Sequence, residues 1–223
     1  MRALWAGRDA VLLDFADEAD PATATLHAEA VLRTRMRHGD LAGVDDLIPT
    51  AQSLLVQATP GSGLDTLALR RVTRTLADDG DQKVSATTTS TEDTVVVPTV
   101  YDGEDLAEVA EKLAVGVDEV IAAHTETAWR VQFMGFAPGF GYLTCDPDSP
   151  AAQLVSIPRR RRSRPRVPAG SVAVAAGYTA VYPRQSPGGW QLIGHTDMRM
   201  WDVGWADPAV LTAGTAVRFE AAG

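Results

Sequence analysis

The chain has 223 residues, 45% of them hydrophobic, and a formal net charge of −9 at pH 7. That length suits one large or two modest domains with a real core. The acidic balance argues against general nucleic-acid binding, which needs a basic face. The lone Cys145 excludes an intrachain disulfide and a cysteine-based zinc site.

Ala3–Ala6 and Ala10–Phe15 read as two short strands around a Gly7-Arg8-Asp9 turn. Arg8, Asp9 and Asp14 interrupt any apolar opening stretch, so no secretory leader is expected. Asp20-Pro21 has the form of an N-cap followed by proline at the first helical position. Ala24, Ala28, Val31 and Leu32 then share one helical face, and Gly39 and Gly43 end the helix. Leu47-Ile48 and Ser53–Val56 are strand-like, and Pro60–Gly63 is a turn. A second helix carries Leu64, Ala68, Val72 and Leu76 on one side. Strands interleaved with two helices predict a small α+β sandwich over residues 1–80, with helices on one face of a sheet.

Residues 81–93 include the polar run Ser85–Thr91 and read as an interdomain linker. Thr94–Val100 begins a second domain, 94–223, as a strand. Two short helices follow, about Glu104–Ala114 and Asp118–His124. The pair has the outline of a helix-turn-helix, but its side chains are acidic with Lys112 as the single base, which disfavours contact with phosphates. Trp129–Met134, Val172–Ala176, Thr179–Tyr182, Trp190–Ile193, Met198–Trp201 and Ala216–Phe219 then read as strands of an antiparallel barrel or sandwich. No apolar run approaches the ~20 residues of a membrane span, so a cytoplasmic protein without nucleic-acid or membrane partners is expected.

Chemistry concentrates between Phe133 and Trp190. Three Gly/Pro-rich segments, Gly135–Leu143, Val167–Val172 and Tyr182–Trp190, predict stiff loops at the barrel rim that meet at one surface. Between the first two lies an arginine block, Arg159, Arg160, Arg161, Arg162, Arg164 and Arg166. Guanidinium groups offer bidentate donors to carboxylate or phosphate. The block reads either as a site for a small anionic substrate, with Arg164 and Arg166 aimed by Pro165, or as a solvated basic loop. Phe136, Phe140 and Tyr142 read as packing at the barrel end or, beside Pro138 and Gly139, as a pocket wall. Gly188 and Gly189 offer backbone donors to an oxyanion, with Ser186 as a hydroxyl donor and Trp190 packed behind. His195 is the better candidate for proton transfer and His124 the second. There is no Gly-x-x-x-x-Gly-Lys-Ser/Thr loop, no Gly-x-Ser-x-Gly elbow around Ser171, and no metal-ligand spacing among the four histidines.

Gly135-Phe136-Ala137-Pro138-Gly139-Phe140 with Tyr142-Leu143, Pro158-Arg159-Arg160, Val167-Pro168-Ala169-Gly170-Ser171-Val172, and Tyr182-Pro183 with Ser186-Pro187-Gly188-Gly189-Trp190 resemble the signature of the 5-oxoprolinase B-subunit family. That family is also called allophanate hydrolase subunit 1 or the Kip-type kinase-inhibitor family. The resemblance implies an α+β chain: a small ferredoxin-like amino-terminal sandwich and a cyclophilin-like antiparallel β-barrel. It implies two partners, the 5-oxoprolinase C subunit with a similar barrel and the ATP-using A subunit. Together they would open the lactam of 5-oxoproline to glutamate, with ATP and magnesium used by a partner and no cofactor bound by this chain. Alternatives within the family are a urea or allophanate amidohydrolase component and an inhibitor of a sensor histidine kinase. The resemblance places substrate contacts on the motif residues, with Gly139, Gly170, Gly188 and Gly189 as backbone donors. The family usually has arginine where this chain has His195.

Overall fold

The computed structural model describes residues 1–78 and 94–223, and these form two compact units. The expected linker, 81–93, lies outside the described residues.

The first unit is a four-stranded antiparallel sheet of β1 (Arg2–Trp5), β2 (Ala10–Asp14), β3 (Val44–Pro49) and β4 (Ser53–Ala58), in the order β1-β2-β4-β3. Helix α1 (Pro21–Arg37) starts where Asp20 accepts a hydrogen bond from the Thr23 amide (3.1 Å), with proline directly after the cap. Alternation along β4 buries Leu54, Val56 and Ala58. Leu32 and Ala28 of α1 and Leu69 of α2 (Thr66–Asp78) close that core. β2, α1 and β3 form a split βαβ unit with β4 antiparallel between the strands. The remaining edge is filled by the first strand of the chain, so the layout is ferredoxin-like with its edge strand moved to the amino terminus.

The second unit is built on a seven-stranded sheet of β5 (Val95–Thr99), β6 (Trp129–Met134), β7 (Gly141–Thr144), β9 (Ser171–Ala175), β10 (Tyr178–Val181), β12 (Gln191–His195) and β13 (Ala216–Ala221). Its order is β12-β9-β10-β7-β6-β13-β5. The end strands meet: the Val100 and His195 backbones exchange two hydrogen bonds, of 2.8 and 2.9 Å, so the sheet nearly closes into a cyclophilin-like barrel. The barrel is not wholly antiparallel, because β13 pairs parallel with β5. Met198–Trp201 is not a strand; Trp201 makes one isolated bridge to Ala209, and the Met200 main chain and Trp201 pack on Gly139 instead. A separate two-stranded ribbon, β8 (Arg164–Val167) with β11 (Ser186–Gly188), occupies what reads from sequence as loop.

Alternation gives this sheet two apolar faces. Val97, Trp129, Val131, Leu143, Val172, Val174, Val181, Ile193, Val217 and Phe219 fill the barrel with residues from α3 (Leu106–Leu113), α4 (Val117–Thr125) and α5 (Ala152–Val155). Phe140, Ala173, Ala175, Ala180, Tyr182, Trp190 and Leu192 form a second cluster with Val167 of the ribbon, on the opposite face of the same wall. That second face carries the site described below.

The seam admits no side chain at position 194. A Cβ on Gly194 would lie 2.4 Å from the Val100 carbonyl oxygen, which is itself fixed by the closing bridge. Gly194→Ala is expected to destabilise the second unit by about 3 kcal/mol, an overpacking effect on backbone. Gly177→Ala, at φ +93° with nothing within 4 Å, is expected to lose only about 1–2 kcal/mol from left-handed strain. Urea titrations of both variants against the parent test this ranking.

Candidate functional site

β10 reads Tyr178-Thr179-Ala180-Val181, followed by Tyr182, so both tyrosines project from the outer side of the wall. Phe140 and Tyr142 come up beside them from β7 and its approach, and Trp190 from the entry to β12. The rings meet edge to face, with Phe140 to Tyr182 at 5.2 Å, Phe140 to Trp190 at 5.7 Å and Tyr142 to Tyr178 at 5.5 Å between centroids. Phe136 stands over them, 56% exposed, at φ +63°. A side chain that bulky rarely adopts that conformation, and such strain clusters at functional sites.

These rings enclose a cavity of about 250 Å³ lined by Phe136, Phe140, Tyr142, Tyr178, Tyr182, Trp190, Ala176, Pro187, Gly188 and Arg159. The Arg159 guanidinium is the one formal charge in that lining. Burial raises the Tyr178 phenol above its ordinary range. Burial likewise raises Tyr142 and Tyr182, and Arg159 pulls back on both. At neutral pH the wall therefore presents protonated hydroxyls and a cation. No lining residue is a carboxylate or an imidazole, so the cavity is suited to holding an anion with an apolar body rather than to moving its protons. A shallower apolar groove of about 430 Å³ lies on the other side of Phe136, against Pro138, Gly139, Trp201 and Leu211.

The arginine block divides. The buried Asp105 carboxylate accepts hydrogen bonds from Arg160 Nη1, from Arg164 Nη2 (2.8 Å) and from the Leu192 amide (2.7 Å). Arg164 also reaches Glu104 (3.1 Å). The expectation that Arg164 pairs with substrate is thus corrected: two acids of the fold hold it. Arg166 is exposed on β8 and does not line the cavity. Arg159, one member of a block read as a whole, is the guanidinium that faces it.

The three Gly/Pro segments do not converge at one barrel mouth. The first and third meet on the outer wall. The second leaves that wall at Val167, which pairs with Ser186, and turns at Gly170, whose amide donates to the Tyr182 carbonyl (2.7 Å) and whose missing side chain admits the Thr196 carbonyl, at the seam. Ser171 is buried in β9 beside His195, and the Ser186 hydroxyl turns to the Arg184 carbonyl (3.2 Å). Gly139 packs on Trp201, Gly188 lines the cavity, and the Gly189 carbonyl accepts from the Arg160 amide (2.7 Å).

The two histidines part ways. His195 Nδ1 lies 2.7 Å from Asp102 Oδ1, partly exposed at the seam and outside both concavities. His124 is fully buried, which corrects its reading as a proton carrier. The Thr179 hydroxyl donates to the Ala173 carbonyl (3.2 Å), so it accepts from His124 Nε2 (2.9 Å), and Nδ1 accepts from the Tyr101 hydroxyl (2.7 Å). Both ring nitrogens are used and the ring is neutral.

Residues 1–211 match the family described as "carboxyltransferase domain, subdomain C and D". The 5-oxoprolinase B subunit of Escherichia coli O157:H7 is 32% identical over 96% of this chain and 92% of its own length. The chain belongs to the 5-oxoprolinase B-subunit family. The Bacillus subtilis (strain 168) protein of that name is 41% identical over 56% of this chain and 51% of its own. The solved structure of TTHA0988 superposes with a TM-score of 0.74 at 32% identity, over 96% of this chain and 40% of that one, so this chain spans well under half of that relative. The K. lactis urea amidolyase, 15% identical over 99% of this chain and 15% of its own, superposes with a TM-score of 0.69 and shares the fold. No helix among the described residues is long and apolar enough to cross a membrane.

Burial pushes the His124 pKa down to about 3 from 6.5. The unfolded chain therefore binds a proton that the folded chain refuses between those values, and stability falls as pH drops below 6.5. The expected slope approaches about 1.4 kcal/mol per pH unit. His124→Gln should flatten the fall in urea midpoint between about pH 6.5 and pH 5; an unchanged pH dependence would refute the neutral buried ring.

Proposed function

We propose that this chain is the B subunit of an ATP-dependent 5-oxoprolinase. It acts with the C subunit, which is a second barrel protein, and with the ATP-using A subunit, and helps to hydrolyse the lactam of 5-oxo-L-proline to L-glutamate. One observation carries the reading beyond the relatives' names: a single cation without an acidic partner among the described residues faces a small aromatic-walled cavity. At about 250 Å³ the cavity falls below the ~300 Å³ at which drug-sized sites begin, and suits a small ring acid.

A nucleotide does not fit this cavity, and the chain has no phosphate-cradling loop. Activation of the lactam with ATP and magnesium is assigned to the partner subunits. The residues of this chain bind and orient. The ring faces of Phe136, Tyr178 and Trp190 exclude water from the lactam, and Arg159 opposes its negative charge. With no proton acceptor in its lining, the chain alone is expected to be inactive. A reaction that consumes ATP is expected in the cytoplasm.

Co-expression with the A and C subunits, followed by assay of glutamate release from 5-oxoproline, tests this. ATP-dependent release that stops when this chain is omitted is expected. Release that continues without it would remove this chain from the reaction. Turnover of allophanate in place of 5-oxoproline would move it to the amidohydrolase branch of the family.

A further inference from the structure

We infer that Arg159 is the residue that selects a carboxylate in the aromatic cavity, and that Asp105 is the positioning residue that aims it. The inference deepens, and rests on, the reading of this cavity as the substrate site. It begins with the main chain of Pro158-Arg159-Arg160, which is fixed on both sides of Arg159. Gln191 Nε2 donates to the Pro158 carbonyl (3.2 Å), and the Arg160 amide donates to the Gly189 carbonyl (2.7 Å). The Arg160 guanidinium is bound to Asp105. Arg159 is therefore a free side chain on an immobile backbone.

Its guanidinium runs along Gly189, where a Cβ would sit 3.7 Å from Nε and from Nη2, and reaches the cavity beside Gly188. It has no acidic partner among the described residues, whereas Arg160 and Arg164 share Asp105. A planar fork of donors fits a planar carboxylate in bidentate fashion, and aromatic walls favour a ligand with a flat apolar ring over a fully hydrated phosphate. The site takes a small cyclic monocarboxylate, read at its carboxylate by Arg159. The Asp105 clamp works at a distance: neutralising it frees Arg160, and the backbone that carries Arg159 loses one of the anchors just named.

The test compares two ligands with the same ring, 5-oxo-L-proline and neutral 2-pyrrolidinone, titrated against the full chain by calorimetry, with inorganic phosphate as a third arm. The wild-type chain is expected to bind the acid at least about tenfold more tightly than the lactam without a carboxylate, the range of one charged hydrogen-bond pair. Arg159→Gln should reduce acid binding about 10- to 100-fold and leave pyrrolidinone unchanged, and Arg159→Lys should restore part of the loss. Asp105→Asn retains an acceptor for the Leu192 amide. It should weaken the acid in the same selective way to a smaller degree, whereas a merely structural role would weaken both ligands together.

An acid-to-pyrrolidinone ratio that is absent in the wild-type chain, or unchanged in Arg159→Gln, overturns the inference. Phosphate that outcompetes the acid through Arg159 overturns the carboxylate assignment. In the assembled complex, Arg159→Gln should raise KM for 5-oxoproline with kcat largely kept. Turnover at unaltered KM sinks the role of Arg159 and leaves the proposed function standing. Carboxylate binding that depends on Arg159, in a complex that opens no lactam, sinks the function alone.

Discussion

The second unit depends on one buried carboxylate. Asp105 sits at the start of α3, almost without solvent, and its two oxygens gather two guanidiniums and the Leu192 amide. Its own amide donates to the Leu192 carbonyl (3.0 Å), so helix and strand hold each other from both directions. Removing one partner of such a group leaves a buried charge without compensation, which costs about 3–5 kcal/mol. The ribbon carrying Arg164 and the loop carrying Arg160 are thereby drawn onto the barrel wall. Without Asp105, Arg160 would lose its acid and Arg164 would keep only Glu104.

The barrel and the cavity share one wall and use its two sides for different ends. Branched aliphatic residues face inward, where close packing decides stability. Phe140, Tyr142, Tyr178, Tyr182 and Trp190 face outward, and of these Tyr142 and Tyr178 remain partly accessible. The bridge between Val100 and His195 ties the two end strands together, which stiffens the wall. The site is shared between that wall and its connections: Tyr142 and Tyr178 stand on strands, whereas Phe136, Arg159 and Trp190 come from the segments between them.

Much of this was legible in the sequence. The Asp20-Pro21 start of α1 and the strand Trp129–Met134 carry local signals, and the structure follows them. Three strands carried none, among them Ser186–Gly188 inside a Gly/Pro-rich turn. Gly141–Thr144 reads as the tail of a glycine-rich loop, and Arg164–Val167 has proline and arginine where a sheet interior would have apolar side chains. An edge ribbon tolerates both, because its outward groups meet solvent. The parallel pairing of β13 with β5 joins the two ends of the unit and leaves no local trace. The roles within the arginine block leave no local trace for the same reason. Six arginines in one stretch are equivalent until an acid far upstream singles out two of them, and Asp105 is separated from Arg160 by 55 positions. The sequence strand Thr179–Tyr182 leaves out Tyr178, and only the burial of Val181 behind them shows which face Tyr178 and Tyr182 share.

Phe136 shows how the signature loop is used. Its left-handed backbone costs about 1–3 kcal/mol for a residue of this bulk. The loop offsets that cost with tight internal hydrogen bonds: Gly135 amide to Phe140 carbonyl (3.1 Å), Ala137 amide to Gly135 carbonyl (2.7 Å) and Phe140 amide to Ala137 carbonyl (3.0 Å). A glycine at 136 would relieve the strain and leave the turn intact. The phenyl ring is there for what it covers: one edge meets Phe140 at 5.1 Å and Tyr182 at 6.1 Å over the cavity, and the other side bounds the apolar groove against Trp201. A single strained residue thus forms the common wall of both concavities, so the shape of each is tied to the position of the same ring.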